Sequence, residues 1–373
     1  MTALSCESCG SAAPGLAPWR CETCGAPLEI ELPAADAATL VEEMASGFWR
    51  YRGWLPEVDP VALGEPRTGL VTLPAGSRTV LGKLEGGLPT GSFKDRGAAV
   101  TVSWLRARGV REIVVDSSGN AGASFAAYAA RAGIRLHLFA PADAPPAKLL
   151  QARAHGAVVV TVPGPRSAAG AEARRALEDA APDVAYASHL WQPAFLAGTA
   201  TFAYEVFEQL GGQAPDAVVA PLGGGTLLLG ASIGFARLRA AGLIERVPRL
   251  IGVQSAGCAP LARAFRAGQA DAVAVRPAAT IADGIRIDRP PRSRQILAAI
   301  RETGGDIVEV TDDEIRASMH ALSAQGVFVE PTSAAAHAGL ARSDVADATG
   351  TTVVALTGHG LKASGPIGEI LGS

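Results

Sequence analysis

Short apolar runs rich in β-branched residues alternate along the chain with longer alanine-rich stretches. Three of the short runs predict buried strands over residues 111–116, 135–140 and 157–162. The stretches that follow them predict helices over residues 119–132, 147–155 and 168–179. Strands that alternate with helices in this way are typical of a parallel sheet with right-handed crossovers. The pattern therefore predicts an α/β fold.

A second series of short apolar runs occupies the C-terminal half of the chain. It predicts four further strands over residues 217–220, 250–254, 307–310 and 352–356, each near a helical stretch. Proline-rich stretches predict loops at residues 145–146, 163–165 and 290–291. In open parallel sheets, ligands bind beyond the carboxyl ends of the strands, so the turns after these strands are where binding residues are expected.

Three polar or glycine-rich turns directly follow predicted strands: Ser117-Ser118-Gly119-Asn120, Gly223-Gly224-Gly225-Thr226 and Thr357-Gly358-His359-Gly360. In the first turn, two hydroxyls, an amide and helix-terminal N–H groups suit a substrate carboxylate, although ordinary N-capping explains them equally well. In the second turn, absent side chains let amide N–H groups point at a phosphate, and a tight turn that binds nothing is the alternative. The chain has no GxxxxGK[ST] segment, so a phosphate monoester is favoured over a nucleotide.

Lys94 stands in the segment 91–97 (GSFKDRG), before a helical run that is predicted to start near Ala98. The positive end of a helix dipole and partial burial both disfavour a charged amine and lower its pKa. A neutral amine is what Schiff-base chemistry with a carbonyl compound requires. A surface cluster of Lys, Asp and Arg is the alternative, and the three other lysines of the chain mean that position alone does not select Lys94.

Four of the five cysteines lie near the start of the chain, as the pairs Cys6-x-x-Cys9 and Cys21-x-x-Cys24. Glycine follows each pair, which lets backbone amides turn toward the thiolates. Two such pairs predict a closed, four-sulfur structural Zn²⁺ site without an open position for catalysis. Disulfides and an empty site are the alternatives. The segment contains one Arg, no Lys and several Glu, which argues against a nucleic-acid-binding ribbon.

The overall charge gives no reason to expect nucleic acid or an anionic membrane as a partner. The chain has 373 residues, with 33 Lys and Arg against 36 Asp and Glu, a formal net charge of −3. Residues 1–10 have neither a basic start nor an apolar run. The uncharged stretch 217–236 approaches transmembrane length, but Pro221 and three glycines interrupt it. We therefore expect a soluble, cytoplasmic protein with no membrane partner.

Five motifs occur in order: SFKDRG, SSGNAG, GGGT, EPTSAAA and LTGHGLK, at residues 92–97, 117–122, 223–226, 330–336 and 356–362. With this set the chain resembles the pyridoxal-phosphate enzymes of fold type II, the tryptophan-synthase β fold. Within that group it looks most like the threonine synthases. Residues 21–32 (CETCGAPLEIEL) are similar to the zinc-ribbon-like start of many of them, and residues 63–68 (LGEPRT) resemble a degenerate LGEGxTP segment. The resemblance covers residues 6–362.

The resemblance implies roles for the matching positions. Lys94 would bind pyridoxal 5′-phosphate covalently and later move protons. The cofactor would also be bound by Asn120 at the 3′-oxygen, by Gly223, Gly224, Gly225 and Thr226 at the phosphate, and by Thr357 at the pyridine nitrogen. The substrate carboxylate would be bound by Ser117, Ser118 and Gly119. A neutral Thr357 hydroxyl cannot keep the pyridine protonated as a carboxylate would, which suits elimination and replacement more than transamination.

The chain departs from the threonine synthases at the site of the substrate phosphate. Many of them have NPxRxEGQKT before a helix that is expected here to start near Thr201, whereas this chain has Phe195 at the Arg position and Ala200 at the Lys position. A phosphate dianion in a closed site normally requires cations, which Arg96, Arg286 or Lys362 would have to supply. The segment instead looks like the AGxxT run of serine/threonine dehydratases, and residues 280–285 (TIADGI) are also dehydratase-like.

Two reactions on one scaffold are therefore open. The first converts O-phosphohomoserine and water to L-threonine and phosphate. The second is a dehydratase or β-replacement reaction on a serine-like or threonine-like amino acid. A non-catalytic protein with a lyase fold is a third possibility, against which the Lys94, Asn120 and Thr357 set counts.

The domain organisation is an expectation from the same resemblance. We expect a zinc-ribbon-like segment at residues 1–32, a large cofactor-binding domain at 33–96 and 206–373, and a small closure domain at 97–205. We also expect a homodimer that acts on a small amino-acid substrate.

Overall fold

The computed structural model describes residues 3–75, 78–142, 144, 146–164, 166–342 and 350–371. The β-strands are β1 (Leu4–Cys6), β2 (Leu28–Ile30), β3 (Gly69–Ala75), β4 (Arg78–Leu84), β5 (Glu112–Val115), β6 (Arg135–Pro141), β7 (Val158–Val162), β8 (Val184–Tyr186), β9 (Ala217–Pro221), β10 (Arg249–Ser255), β11 (Asp306–Val310) and β12 (Thr352–Leu356). The α-helices are α1 (Lys94–Ala107), α2 (Asn120–Ala132), α3 (Pro146–Ala154), α4 (Arg166–Arg175), α5 (Pro193–Gln209), α6 (Thr226–Ala240), α7 (Pro260–Arg266), α8 (Ser293–Glu302), α9 (Asp312–Ser323), α10 (Pro331–Ala338) and α11 (Ser364–Leu371). Short 3₁₀ helices span Ala37–Thr39, Gly47–Trp54, Glu85–Gly87, Asp283–Ile285, Gly339–Ala341 and Gly360–Ala363.

The chain forms two compact units. The first unit contains residues 1–65 and 94–199, and the second contains residues 66–93 and 200–373. The first unit includes residues 33–65, and the division between the two units within α5 lies at 199–200. The functional division into a cofactor-binding and a closure domain stays a prediction.

A four-stranded parallel sheet organises the first unit, in the strand order β7-β6-β5-β8. Helix α2 follows β5. Ala and Gly occupy most of its buried positions, and Gly133 ends it in a left-handed conformation at φ 69°. Gly122 is required in its first turn, because a Cβ there would lie 2.2 Å from the carbonyl oxygen of Ser117. The turn between β5 and α2 is thereby kept tight. Strands β1 and β2 form a separate antiparallel pair.

A six-stranded sheet organises the second unit, in the order β11-β10-β9-β12-β4-β3. All neighbouring strands are parallel except the β3–β4 pair. Strand β12 pairs with β9 on one side and with β4 on the other, with Val353 opposite both Val218 and Leu81. All five residues of β12 are buried, as expected for a central parallel strand. The carboxyl ends of β4, β9 and β12 therefore lie at one edge of this sheet.

A buried ion pair joins strand β4 to helix α5 within the second unit. Lys83 Nζ lies 2.5 Å from Glu205 Oε1, and neither side chain is exposed to solvent. The ammonium also donates to the carbonyl oxygen of Thr68 and to Gln209 Oε1, both at 2.8 Å. Thr68 donates to Glu205 Oε1 from its backbone N–H and from its hydroxyl, again at 2.8 Å. These hydrogen bonds compensate both charges for the loss of water.

The strand and helix predictions agree with the structure. The three strands predicted at 111–116, 135–140 and 157–162 are β5, β6 and β7, and the four predicted in the C-terminal half are β9 to β12. The three predicted helices are α2, α3 and α4.

The loop predictions at the proline-rich stretches are tested only in part. Residues 163, 164, 290 and 291 lie outside the helices and strands, as predicted, and Pro165 lies outside the described residues. Pro146 begins α3, so the loop expected at 145–146 is wrong at that residue, and Pro145 also lies outside the described residues.

The predicted starts of two helices were wrong. Helix α1 begins at Lys94 instead of near Ala98, and α5 begins at Pro193 instead of near Thr201. Proline is favoured at the first helical position because its fixed φ suits the helix and its missing N–H needs no acceptor. Among the residues that the structure describes, no helix combines the length and the apolar character that a membrane span requires.

Candidate active site

Lys94 is the first residue of α1, so its amine lies near the positive end of the helix dipole. The preceding residue, Phe93, is held at the sheet edge of the second unit, where its N–H donates to the carbonyl oxygen of Thr357 at 2.9 Å. The Lys94 side chain is half-buried. Its Nζ lies 5.8 Å from the centre of the Phe195 ring, within the range of a cation–π contact.

Phe195 occupies the space beside Lys94 that the absence of a side chain at Gly97 leaves. A Cβ at Gly97 would lie 2.5 Å from the Phe195 ring, so glycine is required there. The ring is fully buried and is flanked by Phe125 at 6.0 Å and His189 at 5.8 Å between ring centres. Sequence analysis identified Phe195 only as a departure from threonine synthases. Its contact with Lys94 depends on the packing of α5 on α1, which no local pattern predicts.

The turn Ser117–Asn120 lies at the carboxyl end of β5, as predicted. Ser117 is 6% exposed, and Asn120 is the first residue of α2. The N-cap residue is Gly119, whose missing side chain cannot cap the helix. Because the first turn of an α-helix has N–H groups without intrahelical acceptors, the turn can bind an anion such as a carboxylate.

The triple-glycine turn joins β9 to the N-terminus of α6. Gly225 is in the left-handed region at φ 71°, which favours glycine. A Cβ at Gly225 would lie 2.3 Å from Ile296 Cδ1, and one at Gly223 would lie 2.9 Å from Ile285 Cα. Thr226 is the first residue of the helix and is 2% exposed. A helix N-terminus behind a glycine turn is the donor arrangement that suits a phosphate group.

Thr357 follows the central strand β12 and is buried. Its Oγ1 lies 3.2 Å from the hydroxyl of Ser333 on α10. Because β12 and β9 are neighbours, the Thr357 turn and the triple-glycine turn lie at the same edge of one sheet. Ser333 belongs to the EPTSAAA motif, but no local pattern in the sequence predicts its contact with Thr357.

The four N-terminal cysteines form one cluster, in which the sulfur atoms all lie within 4.8 Å of one another. The Sγ atoms of Cys6 and Cys24 are 3.4 Å apart, and those of Cys9 and Cys21 are 3.6 Å apart. The backbone N–H groups of Ser8 and Cys9 both point at the sulfur of Cys6, at 3.4 Å. All four are free thiols. A zinc–sulfur distance of about 2.3 Å gives a tetrahedral edge of about 3.8 Å, so this cluster fits Zn²⁺.

Trp19 attaches the cysteine segment to the sheet of the first unit. Its ring packs edge-on against Tyr186 at 5.0 Å and against Trp191 at 5.1 Å. The Arg108 guanidinium also donates to the backbone carbonyl oxygen of Gly15 at 3.1 Å. Packing of this kind gives the segment a structural role in the first unit.

Two comparisons with known proteins identify the family. Residues 61–358 match the family described as pyridoxal-phosphate dependent enzyme. The chain belongs to this family. It is 34% identical to the threonine synthase of Methanocaldococcus jannaschii over 362 residues, covering 92% of this chain and 88% of that protein. It is 37% identical to the threonine synthase of Mycobacterium leprae over 324 residues, covering 84% and 87% of the two chains. This family member is therefore threonine synthase-like, as its sequence motifs predicted.

Solved structures agree on the fold. Maize serine racemase matches with a TM-score of 0.71 at 20% identity, covering 82% of this chain and 92% of that one. A threonine deaminase from T.th. matches with a TM-score of 0.66 at 29% identity, covering 79% and 92%. The prediction of a fold type II α/β enzyme is confirmed.

The predicted site residues divide between the two units. Lys94, the turn Ser117–Asn120 and the four cysteines belong to the first unit, and the turns at 223–226 and 357–360 belong to the second. The three cations considered for a substrate phosphate differ in exposure: Arg96 is fully buried with its guanidinium 5.7 Å from the Phe48 ring, Arg286 is exposed, and Lys362 is half-buried. Lys362 lies next to Gly91, where a Cβ would be 3.1 Å from Lys362 Cδ.

Proposed function

We propose that this family member is a pyridoxal-phosphate-dependent lyase that converts O-phosphohomoserine and water to L-threonine and phosphate. The observation that carries the proposal is the identity of 34–37% to threonine synthases over most of the chain. The position of Lys94 at the start of α1 and the glycine turn at the start of α6 support it.

The cofactor would be bound by Lys94, Asn120 and Thr357, and by the turn Gly223, Gly224, Gly225 and Thr226. Lys94 would bind its aldehyde carbon, and the N-terminus of α6 would bind its phosphate. Bound there, pyridoxal phosphate supplies an electron sink for the negative charge that develops at the substrate α-carbon.

The substrate would be oriented by the turn Ser117, Ser118 and Gly119, whose N–H and hydroxyl groups bind its carboxylate. Lys94 would be released when the substrate amine takes its place at the aldehyde carbon, and its free amine would then take the α-proton and return protons to the substrate carbons. The neighbouring Phe195 ring excludes water from one side of that amine. Loss of a β-proton and of the γ-phosphate, return of protons to Cγ and Cα, and addition of water at Cβ would complete the reaction, with L-threonine and phosphate as products.

A dehydratase or β-replacement reaction on a serine-like or threonine-like amino acid is the second candidate. Phe195, where many threonine synthases have Arg, is buried and apolar beside Lys94, so it supplies no charge to a substrate phosphate. The similarity to a threonine deaminase at 29% identity also favours this candidate. Its substrate would carry a neutral hydroxyl group in place of a phosphate dianion, so binding it needs no additional cation.

We further propose that Cys6, Cys9, Cys21 and Cys24 bind one structural Zn²⁺, which the sulfur geometry supports. The metal would stabilise a segment too short to bury its own core. A cytoplasmic location and a homodimer complete the proposal.

The substrate test is a panel on the purified protein with simultaneous detection of phosphate and 2-oxo acids. Phosphate release from O-phosphohomoserine, with threonine formed in equal amount, is expected. Oxo-acid formation from serine or threonine without phosphate release would select the second candidate. Neither product, from a protein that binds the cofactor, would overturn both.

The cofactor test uses the small number of lysines. Lys94→Ala is expected to abolish the yellow absorbance of the protein and its loss on borohydride treatment. Lys148→Ala is the matched control and should remain yellow. A yellow, borohydride-sensitive Lys94→Ala variant would contradict the assignment of Lys94.

A further inference from the structure

The Thr357 hydroxyl and the Ser333 hydroxyl form a buried pair. Their oxygen atoms are 3.2 Å apart, and the two residues are 2% and 0% exposed. Within the described part of the chain, Ser333 is the one side chain that hydrogen-bonds to the Thr357 hydroxyl. Each hydroxyl has one proton, so the direction of this bond decides whether Thr357 can still donate to another group.

The surrounding hydrogen bonds favour one direction. Ser333 Oγ accepts the N–H of Gly358 at 2.8 Å, and its own proton can go either to the Gly358 carbonyl at 3.1 Å or to Thr357. That carbonyl already accepts the N–H of Glu330 at 3.1 Å. Because the Gly358 carbonyl is satisfied without Ser333, the Ser333 proton is available for Thr357.

Helix α10 fixes the position of this serine. Ser333 lies in the first turn of α10, and its backbone N–H donates to the carbonyl oxygen of Glu330 at 3.0 Å. The bond from Gly358 N–H then restrains its side chain. The oxygen of Ser333 is therefore held by a helix on one side and by the β12 turn on the other, which is the support that a preorganised site requires.

We propose that Ser333 is a positioning residue that donates its proton to Thr357 Oγ1 and so directs the Thr357 proton toward the pyridine nitrogen of the cofactor. The inference rests on the proposed function, in which Thr357 faces that nitrogen. A donating hydroxyl needs an unprotonated nitrogen as its acceptor. Ser333 would thus keep the pyridine neutral, which limits its electron-withdrawing power and favours elimination and replacement.

The test uses holoenzyme prepared with cofactor that is ¹⁵N-labelled at the pyridine nitrogen. In the unmodified protein, the ¹⁵N chemical shift is expected to be that of an unprotonated, hydrogen-bonded nitrogen. Ser333→Ala is expected to move this shift and to raise the cofactor dissociation constant about two- to twelvefold, as for the loss of one hydrogen bond. Ser333→Thr keeps the hydroxyl and should restore both values.

Matched variants separate positioning from general destabilisation. Ser318→Ala removes a buried hydroxyl that bonds the backbone of α10 at Ala334 but does not reach Thr357, and it should leave the ¹⁵N shift unchanged. In a Thr357→Val background, Ser333→Ala should have no further effect on the shift or the dissociation constant. An additional effect there would overturn the proposal, since Ser333 would then act independently of Thr357.

Two other results would also overturn it. One is a protonated pyridine nitrogen in the unmodified protein. The other is a Ser333→Ala variant whose shift and dissociation constant equal those of Ser318→Ala. Failure of the proposed function gives a different result: borohydride reduction followed by mass spectrometry would find no cofactor on Lys94 in any variant, which would remove the basis of this inference too.

Discussion

Replacing Lys83 by Met tests the energetics of the buried ion pair in the second unit. The substitution keeps an unbranched apolar stem of similar size and removes the ammonium that faces Glu205 at 2.5 Å. Both side chains are fully buried, so water cannot replace the lost partner. A carboxylate would then remain in the interior without its counter-charge.

The expected cost follows from the groups that remain. Removing one partner of a buried ion pair typically costs about 3–5 kcal/mol of unfolding free energy. Glu205 Oε1 would keep the N–H of Thr68 at 2.8 Å and would share the Thr68 hydroxyl, at 2.8 Å, with Glu85 Oε1 at 2.9 Å. We therefore expect a loss near the lower limit, about 3 kcal/mol. The double variant Lys83→Met/Glu205→Gln should be within about 1.5 kcal/mol of the unmodified protein, because a neutral amide oxygen still accepts from Thr68.

Urea unfolding followed by far-UV circular dichroism, with hydrogen exchange of the β4 segment, is the assay. Tryptophan fluorescence is unsuitable for the second unit, because all five tryptophans belong to the first. The control is Arg294→Met, which breaks a pair with Asp271 that is 68% and 54% exposed and should cost less than about 1 kcal/mol. A Lys83→Met variant no less stable than this control, or a double variant whose loss equals the sum of the single losses, would refute the reasoning.

Further predictions concern the glycine turn, a buried histidine and the cysteine segment. Gly225→Ala should destabilise the protein by about 1–3 kcal/mol in urea unfolding, because φ is 71° and the new Cβ would lie 2.3 Å from Ile296. The control Gly242→Ala has a similar φ of 72° but no atom within 4 Å of the new Cβ, so it should lower the free energy of unfolding less. Burial lowers the pKa of His337, so its folded state favours the neutral ring. Below a pH of about 6.5 the unfolded chain therefore binds more protons than the folded protein, so the free energy of unfolding should decrease as the pH is lowered. In His337→Gln this decrease should be smaller. The same change of the urea midpoint with pH in both proteins would contradict the prediction. Removing the metal with a chelator should release one Zn²⁺ per chain, measured with a colorimetric indicator. It should also shift the fluorescence of Trp19, which packs against two aromatic rings. A Trp19→Phe variant should lose that shift, and a shift that persists in it would come from another tryptophan.

Local patterns were sufficient to predict seven of the twelve strands that the structure describes, but not β1 to β4 or β8. The run 352–356 (TVVAL) is apolar, β-branched and followed by Thr357-Gly358, so its identity as a buried strand could be predicted from its own residues. The triple glycine after β9 is another example, because the positive φ of Gly225 is a property of the turn itself. Asn120 was found near a helix start by the same reasoning, whereas Lys94 was selected through its resemblance to a family motif, because its helix was expected to start near Ala98.

Long-range contacts could not be predicted in this way. Lys83 interrupts the apolar pattern of β4, and its burial depends on Glu205, which is far away in sequence. The role of Ser333 depends on Thr357, which lies on another element. Phe195 reaches Lys94 only because Gly97 leaves room for its ring. In each case the partner is specified by tertiary packing, which overrides the local signal.

The central place of β12 has a consequence for synthesis of the protein. The sheet of the second unit needs this strand between β9 and β4, yet β12 leaves the ribosome after the other five strands of that sheet. Until then the nascent chain carries two half-sheets, each with an open edge able to pair with another polypeptide. Chaperones that shield these edges would raise the yield of folded protein, and a chain that is cut before residue 352 would lose the strand that joins them.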